Sequence, residues 1–198
     1  MTELWAPKIY TFDGYDTKPL LGSAKALDVG CGSRKLVGAT GMDIIPLPTV
    51  DVVHNINKVP WPFKDNTFDL VFLNHALEHV IDIPETLDEI HRVLKPGGHV
   101  VIQVPYFRCV DAFTDPTHKH FFTSLSLDYF VEGTKLSKYH YSKKLFRKRG
   151  FWFGWLHPSK NPLRQWLKTY IHKRPDIYDK YISRLNPVRA VTWELEKI

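Results

Sequence analysis

The sequence predicts an α/β fold: a mostly parallel β-sheet with an antiparallel closing strand and with the first crossover helices shortened. Three observations predict this class. Apolar runs rich in β-branched residues recur along the first half of the chain and end at turn residues. One amphipathic helical pattern stands between two of these runs, in the strand–helix–strand order of a parallel sheet. The last apolar run alternates with polar residues and is expected to close the sheet.

The first two strands are predicted within the stretch ALDVGCGSRKLVGATGMDI, residues 26–44. ALDVG indicates a buried strand that ends at a glycine turn, and GMDII indicates the second strand. Only nine residues separate Gly32 from Met42, whereas a typical helix needs about 11 residues and its turns. An extended loop of that length reaches up to about 30 Å, so it can return to the start of the next strand. The link from Asp43 to Asp51 is shorter still and contains two prolines, which favour extended backbone.

Three further strands and one helix follow in the central region. VDVVHNI, NTFDLVFLN and HVVIQVPYF indicate the third, fourth and fifth strands. The clearest helical pattern, DIPETLDEIHRVLKPGG, lies between the last two, with apolar residues at helical spacing from Ile83 to Leu94. Pro84 suits its first turn, and Pro96-Gly97-Gly98 is expected to end it.

The pattern is looser between residues 106 and 187. SLSLDYFVEG is interpreted as a helix, KKLFRKRGFWFGWL as one strand or a hairpin, and NPLRQWLKTYIHK and PDIYDKYISRL as two basic amphipathic helices. VRAVTWELEKI is the expected closing strand. We therefore predict a single domain over residues 1–198, with a basic helical insertion at about 156–186 before the last strand.

Composition indicates a globular intracellular protein. The chain is 43% hydrophobic and 14% aromatic, which is typical of a folded domain and not of a disordered one. Its apolar runs are far shorter than the roughly 20 residues of a membrane span. The first residues include acids and no apolar signal region, and two cysteines make no disulfide framework. These features predict a cytoplasmic location and no membrane span.

The formal net charge of +6 is unevenly distributed. Residues 1–134 contain 11 Lys/Arg and 17 Asp/Glu, whereas residues 135–184 contain 14 Lys/Arg and 2 Asp/Glu. This basic segment is either a solvated surface or a face that attracts an anionic partner, such as RNA, an acidic glycan or a membrane.

Four motifs together resemble one enzyme family. LDVGCG, GMDI, PWPFKDNTFDLVFLNHALEHV and EIHRVLKPGGHVVIQVP follow in an order and spacing similar to class I S-adenosylmethionine-dependent methyltransferases, in particular the small type-11-like group. The resemblance covers about residues 24–131. It implies a Rossmann-like sheet, S-adenosyl-L-methionine as the cofactor, and methyl transfer as the activity. A dinucleotide is disfavoured, because Lys35 stands where its motif needs a third glycine.

The resemblance also implies which residues surround the cofactor. The first acid and the glycine turn would hold its amino-acid part, the next acid its ribose, and two further pairs its adenine and its sulfonium. These residues are Asp28, Gly30, Cys31, Gly32, Asp43, Ile44, Asn55, Ile56, Asn74 and His75. Asn55 departs from the family, where an acid is commoner, but its carbonyl can still accept a hydrogen bond from an adenine amine.

Candidate catalytic residues follow the fifth strand, in a stretch (DPTHKHFFT) that also resembles this family. Displacement at a sulfonium methyl needs a positioned nucleophile, and a general base only where the acceptor must lose a proton. His118 or His120 is the candidate base, Asp115 would orient it, and Tyr106 would wall the pocket. The alternative is that Asp115 forms a turn and the histidines bind backbone groups. His-x-His spacing also suits a metal, but no further ligand is evident and no metal site is predicted.

Three functions remain open from the sequence. The first is a methyltransferase for a small molecule or a glycan, acting at oxygen. The second is an RNA or nucleotide methyltransferase that uses the basic 135–184 segment. The third is a protein that binds the cofactor without turnover, or docks a partner or a membrane through its basic helices.

Overall fold

A computed structural model describes residues 24–154, 162–185 and 188–198. Seven strands occur in these ranges: β1 (Ala26–Val29), β2 (Thr40–Asp43), β3 (Val52–Val53), β4 (Phe68–Asn74), β5 (Leu94–Pro105), β6 (Phe146–Phe153) and β7 (Ala190–Lys197). They form one sheet in the order β3-β2-β1-β4-β5-β7-β6. The pairs among β1 to β5 are parallel, whereas β7 is antiparallel to both β5 and β6. The predicted fold class is therefore confirmed.

The first two crossovers contain turns and no helix, as their lengths predict. Backbone hydrogen bonds hold them against the sheet instead. Gly30 N donates to Met42 O at 2.8 Å, and Asp51 N donates to Gly41 O at 2.9 Å. The carboxyl ends of β1 and β2 therefore lie side by side and are connected by loops.

The central helix, α1, spans Ile83–Val93. The Asp82 side chain caps its first turn by accepting a hydrogen bond from Glu85 N at 2.7 Å. The helix ends at Val93 because Leu94 already has extended backbone and begins β5. The Pro96-Gly97-Gly98 turn expected to end the helix thus belongs to the strand, which is a correction to the sequence prediction.

The later elements match the sequence in part. A short helix, α2, spans Asp111–Thr114. The prediction of a helix in SLSLDYFVEG is wrong, because only one helical turn, Asp128–Phe130, forms there. KKLFRKRGFWFGWL forms the single strand β6, and its last two residues lie outside the described part of the chain. Helices α3 (Pro162–Lys173) and α4 (Pro175–Ile177) precede β7, which closes the sheet as predicted. The single-domain boundaries and the extent of the insertion stay predictions.

The core has one large and one small cluster, on opposite faces of the sheet. Successive residues of a strand point to opposite faces, so Leu27 and Val29 join the large cluster while Ala26 joins the small one. Leu36 and Ala39 of the first crossover loop belong to the small cluster. The loop is thus part of the packed structure.

None of the helices in the described ranges has the length and apolar character of a transmembrane span.

Candidate active site

A cavity of about 570 Å³ opens beyond the carboxyl ends of β1 to β4. Ligands of open α/β sheets bind in this position, and the volume suits a small molecule. Six of the ten implied cofactor residues lie on its wall, namely Gly30, Asp43, Ile44, Asn55, Ile56 and His75. The other four lie behind or beside the wall. We call this space the cofactor crevice.

The glycine turn allows the backbone to approach the crevice closely. Gly30 has a φ of 70°, which L side chains rarely adopt. A Cβ at this position would lie 2.7 Å from Cβ of Ala76, which follows β4. Gly30 is therefore required both for its conformation and for its contact with the next loop. Gly32 also has a positive φ, of 50°, but has open space around it.

Asp43 joins the ends of the first two strands. One carboxylate oxygen accepts a hydrogen bond from Gly32 N at 2.9 Å, and the other accepts one from Ile45 N at 3.0 Å. Each carboxylate oxygen has a second lone pair. The half-buried side chain can therefore hold the glycine turn and still face a ligand in the crevice.

Asp28 and Cys31 lie beneath the loop and not on the crevice wall. Burial raises the pKa of the Asp28 carboxyl to about 7, although the Leu36 amide, donating at 2.6 Å, opposes this change. Burial also raises the pKa of the Cys31 thiol to about 11. Their places indicate that they hold the loop, which differs from the direct cofactor contact that the resemblance implies for Asp28.

Two asparagines shape the far side of the crevice. The Asn55 side-chain oxygen accepts a hydrogen bond from Asn57 N at 2.9 Å, and the Asn57 oxygen accepts one from Ile81 N at 2.7 Å. The Asn55 side-chain carbonyl, which could accept a hydrogen bond from an adenine amine, thus already accepts one from the backbone. Asn57, which the sequence analysis missed, ties this wall to the loop that precedes α1.

Asn74 and His75 lie at the end of β4. His75 has a φ of 54° and is exposed toward the crevice. Its Nδ1 lies 3.2 Å from Glu78 Oε1, and its Nε2 lies 3.4 Å from Gln103 Nε2. Because the Gln103 amide is a donor, the network places the His75 ring proton on Nδ1, facing Glu78. Asn74 is half-buried and does not line the crevice.

A second cavity of about 600 Å³ lies next to the first. Its wall is formed by His75, Glu78, His79, Pro105, Asp111, Thr114, Asp115, Pro116 and His118. His75 and His79 belong to both walls. A molecule in this acceptor cavity, as we call it, would therefore meet a molecule in the cofactor crevice at these two histidines.

The structure corrects the prediction for Tyr106. The residue is fully buried, and its hydroxyl donates a hydrogen bond to Asp179 at 2.7 Å. Burial raises the pKa of this hydroxyl further above its usual value. Tyr106 lines neither cavity. Its hydrogen bond joins the end of β5 to the segment that follows α4.

Asp115 orients a different histidine from the predicted ones. Its Oδ1 accepts hydrogen bonds from Thr117 N at 2.8 Å and from Thr117 Oγ1 at 2.7 Å. Thr117 Oγ1 also lies 2.9 Å from His79 Nδ1. Since the hydroxyl proton goes to Asp115, the His79 Nδ1–H donates to the hydroxyl oxygen. Asp115 therefore acts on His79 through Thr117, which corrects its assignment to His118 or His120.

His118 and His120 have different surroundings. The Nδ1–H of His118 donates to Ala112 O at 2.8 Å, and its Nε2 lies 3.9 Å from Glu78 Oε1 on the wall of the acceptor cavity. His120 instead donates its Nε2–H to Val80 O at 3.0 Å. The alternative that the histidines bind backbone groups therefore describes His120. His118 instead keeps one ring nitrogen on the side of the cavity.

The sequence favours a structural role for His79 and Glu78, whereas the structure places both on the wall of the acceptor cavity. Glu78 is only 1% exposed, and the His79 and His118 rings meet edge to face with 4.7 Å between centroids. We call Glu78, His79 and His118 the Glu78 cluster. Glu78 and His79 stand side by side directly after β4, and this pair is the signal that could have found the cluster.

Solved structures define the class of the fold. A SAM-dependent methyltransferase from Archaeoglobus fulgidus superposes with a TM-score of 0.58 at 18% identity, covering 94% of this chain and 96% of that one. One from Mesorhizobium loti gives a TM-score of 0.55 at 16% identity, covering 94% and 100%. The [4+2]-cyclase SpnF also matches, at a TM-score of 0.51 and 15% identity over 88% of this chain and 74% of that one. The fold is that of the class I methyltransferases, and it also serves other chemistry.

Sequence comparison finds relatives for the central part of the chain. A family model described as "Methyltransferase domain" matches residues 27–102. A demethylmenaquinone methyltransferase from Lysinibacillus sphaericus is 38% identical over 80 residues, covering 40% of this chain and 32% of the relative. One from Bacillus mycoides is 34% identical over 111 residues, covering 43% and 45%. The chain thus spans less than half the length of these curated relatives. Residues 27–102 therefore match the methyltransferase domain family, and the resemblance predicted from the sequence is confirmed.

Proposed function

We propose that this protein transfers the methyl group of S-adenosyl-L-methionine to an oxygen of a small molecule or a glycan that enters the acceptor cavity. The meeting of two cavities at His75 and His79 is the observation that carries this proposal. A two-substrate transfer needs one space for the donor and one for the acceptor, with the reacting atoms about 3 Å apart. The family match supports the choice of donor.

The cofactor fits the crevice by the chemistry of its wall. Asp43 offers carboxylate oxygens at the tip of β2, where a ribose can donate both hydroxyls. Gly30 leaves bare backbone beside it, where an amino-acid group can approach. Ile44 and Ile56 give the crevice apolar walls suited to a planar base. We assign the adenosine to this side and the sulfonium to the His75 side.

The acceptor cavity is suited to an acceptor that loses a proton. In the transfer, the acceptor oxygen forms a bond to the methyl carbon as the sulfur–carbon bond breaks, and S-adenosyl-L-homocysteine leaves. The acceptor proton must go to a nearby group. The Glu78 cluster supplies two imidazoles and a carboxylate on this wall. We place the removal of this proton at the cluster.

The relatives' acceptor is a candidate of the same small-molecule class. Their names state action on demethylmenaquinone. The family match ends at residue 102, however, and much of the acceptor cavity is built by residues 105–118. The similarity to these relatives therefore supports S-adenosyl-L-methionine as the methyl donor more than it supports a particular acceptor. Among acceptors, it favours a small molecule over a macromolecule.

The alternative of RNA as the acceptor receives less support. Its argument is the basic 135–184 segment, but part of that charge is paired within the fold. Arg147 and Arg149 of β6 contact the Glu196 carboxylate, and Lys148 pairs with Asp128. These cations bind the strand to its neighbours, which reduces the charge available to a phosphate backbone.

Labelled S-adenosyl-L-methionine, incubated with separated cell fractions, tests the proposal. We expect label in the small-molecule or glycan fraction, and a much lower rate with the Asp43→Ala variant, because its crevice has lost the ribose acceptor. Label in the RNA fraction alone would establish the second function instead. Cofactor binding by calorimetry without label in any fraction would establish the third.

A further inference from the structure

We infer that the Glu78 cluster binds one divalent metal ion of the zinc type at the wall of the acceptor cavity. Glu78, His79 and His118 each bring a ligand atom to within 4.8 Å of the others. Two imidazole nitrogens and a carboxylate are a ligand set that Zn²⁺ takes, with bonds of roughly 2.0–2.2 Å. His118 Nε2 lies 3.9 Å from Oε1 of the Glu78 carboxylate, so this nitrogen and the carboxylate are close enough to share one ion.

Hydrogen bonds outside the cluster hold both histidines in the tautomer that a metal needs. His118 Nδ1–H donates to Ala112 O, and His79 Nδ1–H donates to Thr117, which is in turn held by Asp115. The Nε2 lone pair of each ring is therefore available for a ligand. An imidazole whose other nitrogen donates to a carbonyl, or reaches a carboxylate, is the usual arrangement of metal-bound histidine.

Glu78 provides a second, independent indication of a cation. Its side chain is 1% exposed, and its Oε2 is buried without a hydrogen-bond partner. A buried carboxylate oxygen left unpaired is costly, and buried charges are generally paired or bind metals. The other oxygen receives His75 Nδ1–H at 3.2 Å, which fixes the carboxylate plane. A metal ion between Glu78 and the two histidines would satisfy the remaining oxygen.

The backbone already holds the two halves of the site together. Lys119 N donates to Glu78 O at 2.8 Å, and Lys119 Nζ donates to His79 O at 3.0 Å. His120 adds its ring hydrogen bond to Val80 O. The segment that carries His118 is thus fastened along the turn that carries Glu78 and His79. Ligands separated by about 40 residues are placed before any ion arrives, which lowers the entropic cost of binding.

Three protein ligands leave a coordination position open toward the cavity. Catalytic zinc sites have this composition, and the ion lowers the pKa of an oxygen bound at the open position. This part of the inference rests on the proposed function: the acceptor oxygen would bind the ion and face the methyl group beyond His79. Its proton would pass to solvent or to the exposed Asp115 carboxylate on the same wall, because the ion would occupy the three ligands of the cluster. The site thereby selects acceptors that present a hydroxyl or an enol oxygen, with a neighbouring oxygen as a second ligand where one is present.

Titration of the chelator-treated, tag-free full chain with ZnCl₂ by calorimetry tests the binding. CoCl₂ gives a visible spectrum that reports coordination geometry. We expect one ion per chain with a dissociation constant below about 10 μM, and at least a roughly tenfold weaker affinity in His118→Ala and in Glu78→Gln. His140→Asn is the matched control, because this exposed histidine lies outside the cluster and asparagine tolerates its left-handed backbone.

Wild-type protein that takes up neither ion overturns the inference, and this readout does not depend on how any variant folds. Affinity in folded His118→Ala equal to that of wild type overturns it as well, because the ion would then lie elsewhere. Failure of the proposed function is distinguishable. S-adenosyl-L-methionine affinity is measured on the metal-free protein, so loss of cofactor binding with the ion retained contradicts only the function.

Discussion

The backbone amide of Gly32 donates to the carboxylate of Asp43 at 2.9 Å, which ties the glycine turn after β1 to the tip of β2. In a longer crossover, a helix would hold this turn in place. Here the aspartate side chain does so from across the crevice. The residue assigned to the ribose thus also positions the backbone assigned to the amino-acid part of the cofactor.

Replacing Asp43 with alanine should therefore weaken S-adenosyl-L-methionine binding. Loss of a half-buried charged hydrogen-bond acceptor costs at least about 1 kcal/mol, or roughly fivefold in affinity. Isothermal calorimetry on folded protein measures the effect. Asp51→Asn is the matched control, because Asp51 holds Gly41 N and Lys35 of the same loop but does not line the crevice. Equal affinities in Asp43→Ala and wild type would remove Asp43 from the site.

Alanine at Gly30 and at Gly32 should have unequal effects. At Gly30 the new Cβ meets Ala76 Cβ at 2.7 Å in addition to the positive-φ strain, so we expect a loss of about 3 kcal/mol in unfolding free energy and weaker cofactor binding. At Gly32 nothing lies within 4 Å, and only the strain remains, worth about 1 kcal/mol. Urea unfolding compares the two variants. Similar losses would mean that the contact with Ala76 is not limiting.

The stability of the protein should fall as the pH rises through the range in which Asp28 ionises. Burial raises the folded-state pKa of Asp28 from 3.8 to about 7, so the folded state holds this proton more tightly than the unfolded state. Its stabilisation is complete below pH 3.8 and is lost between there and about pH 7. The loss is at most about 4 kcal/mol. Urea unfolding at pH 5 and pH 8 should show a smaller difference in Asp28→Asn than in wild type, and identical differences would contradict the assignment.

His118→Ala should slow methyl transfer more than His120→Ala does. His118 faces the acceptor cavity, whereas His120 is bonded to Val80 O. We expect a fall in kcat of about 100-fold for His118→Ala, with cofactor affinity unchanged within about twofold, since it lies outside the crevice. Single-turnover kinetics with the identified acceptor separate the two constants. Full turnover in His118→Ala would exclude the cluster from proton removal.

The sequence predicts those parts of the fold that depend on local pattern. The central helix is evident because Ile83, Leu87 and Ile90 share one face and Asp82 caps the start. The missing crossover helices are evident because nine residues cannot contain a helix and its turns. The motif order places Gly30, Asp43 and His75 around one crevice, and the structure brings them together.

The acceptor side was not predictable in this way, because its partners are distant in sequence. Glu78 and His118 are 40 residues apart, and no periodicity connects them. Asp115 looks like a partner of His118, but its carboxylate closes a tight turn onto the amide of Thr117 two residues later. The SLSLDYFVEG stretch is interpreted as a helix, yet only one helical turn, Asp128–Phe130, forms there. Such outcomes depend on packing that the local pattern does not encode.

The loop between β1 and β2 has a further consequence for how the protein tolerates change. A helix distributes its support over a ladder of equivalent backbone bonds, so one altered residue removes a small fraction of it. Here three aspartates, Asp28, Asp43 and Asp51, carry much of the anchoring through single atoms at Leu36, Gly32 and Gly41. The support of the crevice is therefore concentrated in few atoms: a single substitution at Asp43 removes both the anchor of the glycine turn and the carboxylate that faces the crevice, while the sheet beneath persists.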